Sequence, residues 1–216
     1  MNRFKAVIFD FGGVVTSSPF EAFNRMEAES GLPHNLVRTI NSADPDGNAW
    51  AKFERAEIGP VEFDALFAGE AAARGHDLRG ADVLRCLSGD IRPRVVAAMD
   101  RLKGAGFRLG CITNNVPSGD GPGMARGLGK AAAVADAMAR FEHIIESSKA
   151  GIRKPDPRIY QMMCAMMGVE AENCIYLDDL GINCKPAALL GMHAIKVTGE
   201  DQLLADLGAA TGLALV

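Results

Sequence analysis

A chain of 216 residues, 48% hydrophobic and 23% charged, has the make-up of a water-soluble globular protein, long enough for one large domain or a core with a smaller appendage. A net charge of −4 and a pI near 5.6 argue against a general nucleic-acid or anionic-membrane surface. No apolar run reaches the roughly 18–20 residues of a membrane span, and the first strand begins so early that no signal peptide is expected.

In chain order, Lys5-Ala6-Val7-Ile8-Phe9-Asp10 is an apolar run without helical period that ends in one carboxylate and meets Gly12 and Gly13. It reads as a buried strand of a parallel sheet with Asp10 at its carboxyl end. Taken alone, Asp10 also fits ordinary turn chemistry. Ser17-Ser18-Pro19 marks a helix start, with serine available to cap and proline tolerated at the first position. From Phe20 to about Leu87 no strand is expected. Phe20, Phe23 and Met26 fall at helical spacing, and Asn35 to Ile40 reads as a short helix. Gly47 opens a segment with Trp50, Phe53 and Glu54, and Pro60 opens another with Phe63, Leu66 and Phe67.

An alternating pattern then resumes. Arg92 to Gly106 reads as a helix with Val95, Met99 and Leu102 on one face, and Arg108 to Thr113 as a strand running into Asn114 and Asn115. Ser118 to Gly129, rich in glycine, reads as a mobile loop without nucleotide-binding spacing. Further helices are expected over Lys130–Arg140, Asp156–Met167, Ile182–Leu190 and Glu200–Leu207. Strands are expected over Phe141–Glu146, Asn173–Leu177 and Met192–Val197, with a basic loop over Lys149–Pro157. This order predicts an α/β fold. A Rossmann-like parallel sheet with helices on both faces is formed by residues 1–16 and 91–216, and a small helical module, residues 17–90, is inserted.

Cys86, Cys111, Cys164, Cys174 and Cys184 are odd in number and include no C-x-x-C pair, so neither a disulfide framework nor a zinc site is expected and the cytoplasm is the natural compartment. The four histidines have no metal-ligand spacing.

Three expected strands end in polar groups: Asp10, Thr113 with Asn114, and Asp178-Asp179. Gly151-Ile152-Arg153-Lys154-Pro155 supplies a fourth element in a loop before a helix. Parallel strands present their carboxyl ends on one edge, so these groups can converge. A nucleophilic carboxylate, hydroxyl and amide donors, a lysine and an acidic pair make up the inventory of metal-assisted phosphoryl transfer.

Phe9-Asp10-Phe11-Gly12-Gly13-Val14, Ile112-Thr113-Asn114, Gly151 to Pro155, and Leu177-Asp178-Asp179 with Asn183 together resemble, in order, the four motifs of the haloacid dehalogenase superfamily. Asp178 to Ala187 is especially similar to the phosphatase domains at the N-terminus of soluble epoxide hydrolases, and the stretches around Asp10 and Lys154 to bacterial sugar-phosphate phosphatases. The resemblance implies that Asp10 attacks phosphorus and forms an aspartyl-phosphate. Thr113, the Asn114 amide and Lys154 would hold the phosphoryl group. Mg²⁺ would be bound by Asp10, the Gly12 main-chain carbonyl and the acidic pair, Asp179 directly with Asp178 close by. Asn183 would orient the acidic pair or Lys154, and residues 17–90 would form the cap. The implied partner is a small phosphorylated substrate, with no nucleic acid and no membrane, and the chain a monomer or homodimer.

One position departs from the pattern. Phosphatases of the superfamily usually carry a second aspartate two residues after the nucleophile, where it protonates the leaving alcohol; here that residue is Gly12. The alternatives left open are a 2-haloacid dehalogenase-type hydrolase and a catalytically weak or silent binding protein of the same fold. Trp50, Phe53, Glu54 and Arg55 resemble a recurring cap segment and are read as helix packing.

Overall fold

The apolar run after Lys5 forms β1 (Ala6–Phe9), every residue buried, at the centre of a five-stranded sheet. In the computed structural model, residues 3–117 and 128–215 are described. Five helices follow β1: α1 (Pro19–Glu29), α2 (Leu36–Ala43), α3 (Ala49–Glu54), α4 (Pro60–Ala72) and α5 (Gly80–Arg85). The chain then alternates: α6 (Pro93–Gly104), β2 (Arg108–Thr113), α7 (Leu128–Met138), β3 (His143–Glu146), α8 (Ser147–Ala150) and α9 (Pro157–Met167), then β4 (Cys174–Asp178), α10 (Gly181–Leu189), β5 (His193–Lys196) and α11 (Glu200–Thr211). All pairings are parallel and the order is β3-β2-β1-β4-β5, an α/β Rossmann-like sheet as expected. None of the helices described is long and apolar enough to cross a membrane.

The period-two alternation of the strands builds two apolar layers. Val7, Phe9, Leu109, Cys111, Ile175 and Leu177 face α6, α7 and α11. Ala6, Ile8, Ile112, Cys174 and Tyr176 face α9 and α10. Gly110 permits the close approach of α9, since a Cβ there would lie 2.8 Å from Met163 Sδ and 2.9 Å from Met167 Sδ. Helices α1–α5 enclose a cluster of their own around Phe53, Phe63 and Phe67, with Phe53 stacked on Phe63 at 4.6 Å between centroids. Thr16 and Ile91 pair as an antiparallel bridge where the chain leaves and re-enters the sheet layer.

Three local expectations change. Ser18 precedes α1, but its side chain makes no cap; its hydroxyl turns to Asp179. Asp156 caps α9 instead, accepting from the Arg158 N–H at 2.9 Å. The stretch expected as loop from Lys149 holds the end of the short helix α8, and Gly129 lies inside α7; the rest of the glycine-rich stretch, 118–127, lies outside the described residues.

Candidate active site

Strand register assembles the site. Phe9 pairs with Leu177 of β4, so Asp10 lies level with Asp178, and the Asp10 N–H donates to the Leu177 carbonyl at 2.8 Å. On the other side Phe9 pairs with Cys111, which places Thr113 just beyond Asp10 at the end of β2. Asp10 and Thr113 are buried, as is Lys154 from the loop before α9, at 1% exposure.

Lys154 ties the elements together. Its Nζ lies 2.8 Å from Asp10 Oδ1 and 2.8 Å from Asp178 Oδ2. Asp10 Oδ1 also accepts from the Phe11 N–H at 2.6 Å, which fixes the carboxylate in one orientation.

Asp178 is saturated with donors. Besides Lys154 it accepts from the Tyr176 hydroxyl at 2.6 Å, the Leu180 N–H at 2.8 Å, and Asn183 Nδ2 at 3.0 and 3.1 Å. Asn183 is itself held by the Tyr160 hydroxyl, which donates to its carbonyl at 2.8 Å. Asp179 is less engaged, its Oδ2 accepting from Ser18 Oγ at 3.0 Å. This difference leaves Asp179 lone pairs for a metal and gives Asp178 the task of holding Lys154 and the start of α10.

Carboxylate oxygens of Asp10, Asp178 and Asp179 lie within 4.8 Å of one another. One buried ammonium, in contact with Asp10 and Asp178, stands in a cluster of three carboxylates. Burial, reinforced by Asp178 and Asp179, raises the Asp10 carboxyl well above its ordinary value despite Lys154. Burial and the neighbouring Asp178 push Asp179 up to about 6. Burial works against the charge on Lys154, but Asp10 and Asp178 outweigh it and hold the ammonium above the usual lysine value. The excess of negative charge and the all-oxygen donor set fit a hard dication such as Mg²⁺.

The two glycines after Asp10 differ. Gly13 has φ +78°, and a Cβ there would lie 2.2 Å from Asp179 Oδ2, so only glycine lets the acidic pair approach β1. A Cβ at Gly12 would meet nothing within 4 Å. The absent side chain thus corresponds to open space two residues after Asp10.

The Asn114 side chain is committed elsewhere. Its Oδ1 accepts from the Lys154 N–H at 2.9 Å, and its Nδ2 donates to the Lys154 carbonyl at 3.0 Å and to Glu54 Oε2 at 3.3 Å. Both side-chain amide hydrogens are therefore used within the protein. Sequence reasoning missed Tyr176, Ser18 and Glu54. Tyr176 stands two residues before Asp178 on a strand and so shares its face, a signal that could have found it. Glu54, read as helix packing, reaches the site loops; Trp50 and Phe53 do pack, in the aromatic cluster with Phe63.

Comparison with known proteins agrees with this arrangement. The chain is 29% identical over 98% of its length to mouse acyl-CoA dehydrogenase family member 10, of which it spans only 20%. It is 31% identical to phosphatase MT3486 of Mycobacterium tuberculosis, covering 91% of this chain and 88% of that protein. Among solved structures, a haloacid dehalogenase family enzyme from Bacteroides thetaiotaomicron, in complex with magnesium and inorganic phosphate, shares the fold with a TM-score of 0.59 at 18% identity, covering 92% of this chain and 96% of that one. L-2-haloacid dehalogenase from Xanthobacter autotrophicus shares it with a TM-score of 0.62 at 17% identity, covering 95% and 83%. The family model of haloacid dehalogenase-like hydrolases matches residues 4–191, and the chain belongs to that family.

Proposed function

We propose that the protein is a Mg²⁺-dependent phosphomonoester hydrolase acting on a small phosphorylated metabolite through Asp10. The observation that carries the reading is the cluster of Asp10, Asp178 and Asp179 within 4.8 Å, with one buried lysine bridging Asp10 and Asp178. Such a site has charge to accept from a dication and a cation already placed for an incoming phosphoryl group.

In this reading Asp10 attacks phosphorus, the bond to the leaving oxygen breaks, and an aspartyl-phosphate forms. Water then attacks that phosphorus, releasing inorganic phosphate and restoring the carboxylate. Lys154 favours the ionised form of Asp10 against the opposing effect of burial and offsets charge on the transferring oxygens. Thr113 and the main-chain N–H of Asn114 hold those oxygens. Mg²⁺ held by Asp10, Asp179 and the Gly12 carbonyl would neutralise charge between nucleophile and phosphoryl group. Asp178 positions Lys154, and Asn183 positions Asp178. Residues 17–90 act as a cap over a core formed by residues 1–16 and 91–216.

Gly12 offers no proton to the leaving oxygen, so the reading favours substrates whose leaving group departs readily or takes its proton from water. A metal-free dehalogenase reading is less well supported, because it leaves Lys154 as the one cation in contact with a cluster of three carboxylates. The test is hydrolysis of an activated aryl phosphate with Mg²⁺, with EDTA, and in an Asp10→Asn variant. Activity is expected only in the first; equal residual rates in all three overturn the proposal, and metal-free halide release from 2-chloropropionate reverses it in favour of the dehalogenase.

A further inference from the structure

Glu54 ends α3, and its carboxylate points across to the sheet layer. Oε2 accepts from Arg153 Nε at 2.6 Å and from Asn114 Nδ2 at 3.3 Å, and Oε1 accepts from Trp50 Nε1 at 2.8 Å. Its main-chain carbonyl accepts from Ser147 Oγ at 2.7 Å, and the same Ser147 oxygen accepts from the Asn115 N–H at 3.1 Å. Arg153 continues outward, donating from Nη1 to the Pro45 carbonyl at 2.7 Å. One residue of the helical layer thus fastens the end of β2, the start of α8 and the loop that carries Lys154.

Packing does not require this. The other buried residues of α3 are Ala49, Ala51 and Phe53, and an apolar side chain would fill the same place. A carboxylate at 6% exposure is costly unless it is well paired. Here every contact of its oxygens is a donor, and two of the three donors belong to Arg153 and Asn114, the neighbours of Lys154 and Thr113.

We infer that Glu54 is a positioning residue for Lys154, acting through Arg153 and Asn114; the inference rests on the phosphatase reading of the same site. Asn114 grips the Lys154 peptide from both sides, by its N–H and its carbonyl. Glu54 fixes the rotamer of Asn114 by taking its remaining amide hydrogen, and holds the preceding residue, Arg153, by an ion pair. The 2.8 Å reach of Lys154 to Asp10 is therefore set from the helical layer. A glutamine at 54 cannot reproduce this, because its NH₂ must face either the Trp50 indole N–H or the donors on the other side.

The experiment compares wild type, Glu54→Gln, Arg153→Gln and the double variant, using an activated aryl phosphate with Mg²⁺, thermal unfolding and hydrogen–deuterium exchange. Each single variant is expected to lower kcat about tenfold with KM changed less than about threefold, and the double variant is expected to be no worse than either single one. Exchange should quicken in residues 113–116 and 149–156 while β1 and β4 keep their protection. Wild-type kcat in Glu54→Gln, additive losses in the double variant, or faster exchange throughout α1–α5 with a matching fall in the unfolding midpoint overturns the inference and leaves Glu54 a packing residue. If the wild type hydrolyses no phosphate ester, the phosphatase reading fails by itself. Exchange then decides: quickening confined to 113–116 and 149–156 upholds the coupling, and unchanged exchange there refutes it.

Discussion

Gly12→Asp places a carboxyl group in the open space beside the nucleophile. A Cβ at Gly12 meets nothing within 4 Å, and Gly12 is not among the glycines with positive φ. The backbone therefore accepts a side chain, and Gly12→Ala should raise stability by about 0.4–1 kcal/mol by restricting the unfolded chain. Gly13→Ala should do the opposite. At φ +78° a non-glycine residue costs about 1–3 kcal/mol, and its Cβ, 2.2 Å from Asp179 Oδ2, displaces the acidic pair as well. In Gly12→Asp the new carboxylate joins three others around one ammonium, so the gain seen with alanine should vanish without metal and return with Mg²⁺. The chemical gain should be selective. A carboxyl two residues after the nucleophile can protonate the leaving oxygen, a contribution worth ~10²–10⁴-fold. Alkyl phosphates, whose leaving group needs that proton, should gain most; p-nitrophenyl phosphate, whose leaving group is stable as the anion, should gain little. The assay is kcat for both substrates in wild type, Gly12→Ala and Gly12→Asp, with urea unfolding of each and of Gly13→Ala. Equal acceleration of both substrates, no acceleration of either, or a Gly12→Ala less stable than Gly13→Ala would refute the reasoning.

Lys154→Met leaves Asp10 and Asp178 buried without their shared cation and should cost about 3–5 kcal/mol in urea unfolding; an unchanged midpoint argues against the pairing. Asp179, raised from 3.8 to about 6, follows the opposite sign from a paired surface carboxylate. Its contribution to stability is full below the unfolded value and is lost as pH rises through about 6. The metal-free protein should therefore weaken from pH 4 to 7, while Mg²⁺ binding, which needs the carboxylate, strengthens over the same window and releases protons, as titration calorimetry in buffers of different ionisation enthalpy would show. Tyr176→Phe removes one donor from Asp178 but keeps the ring packing on Tyr160, and should cost about 1.5 kcal/mol in thermal unfolding; an unchanged midpoint would mean that Lys154, Leu180 and Asn183 suffice.

The centre of the sheet was readable because β1, β2 and β4 are buried on both faces and so appear as largely apolar runs, and because polar residues suited to phosphoryl chemistry end them. Asp10, Thr113 and Asp178 required only the assumption of parallel pairing to be brought to one edge. Short helices were harder. The six residues of α5 and the four of α8 hold too few turns to show a period, and α8 follows β3 without a break. The supporting residues were hidden for a different reason. Tyr176 in the run Cys174-Ile175-Tyr176-Leu177 looks like core filling, and its role depends on sharing a face with Asp178. Ser18 has the position of a helix cap, and only the return of the chain from β4, 161 residues later, gives its hydroxyl another partner. The Asn114 side chain, expected at the substrate, serves the Lys154 loop, a pairing across 40 residues that no local pattern announces.

Ser18 and Glu54 also say how the helical layer is joined to the sheet. The layer has its own aromatic cluster around Phe53, Phe63 and Phe67, and of the residues after β2 Val116 enters it. Its other links to the site are directional and polar: Ser18 to Asp179 on one side, and Glu54 to Arg153 and Asn114 on the other. Polar junctions between packed units rearrange more readily than apolar ones, because water can replace each lost partner. In the proposed reading a substrate must reach Asp10, which is at 8% exposure. The arrangement suits that reading: the apolar cluster keeps α1–α5 together as a unit, while hydrogen bonds join it to Asp179 and to the Lys154 loop.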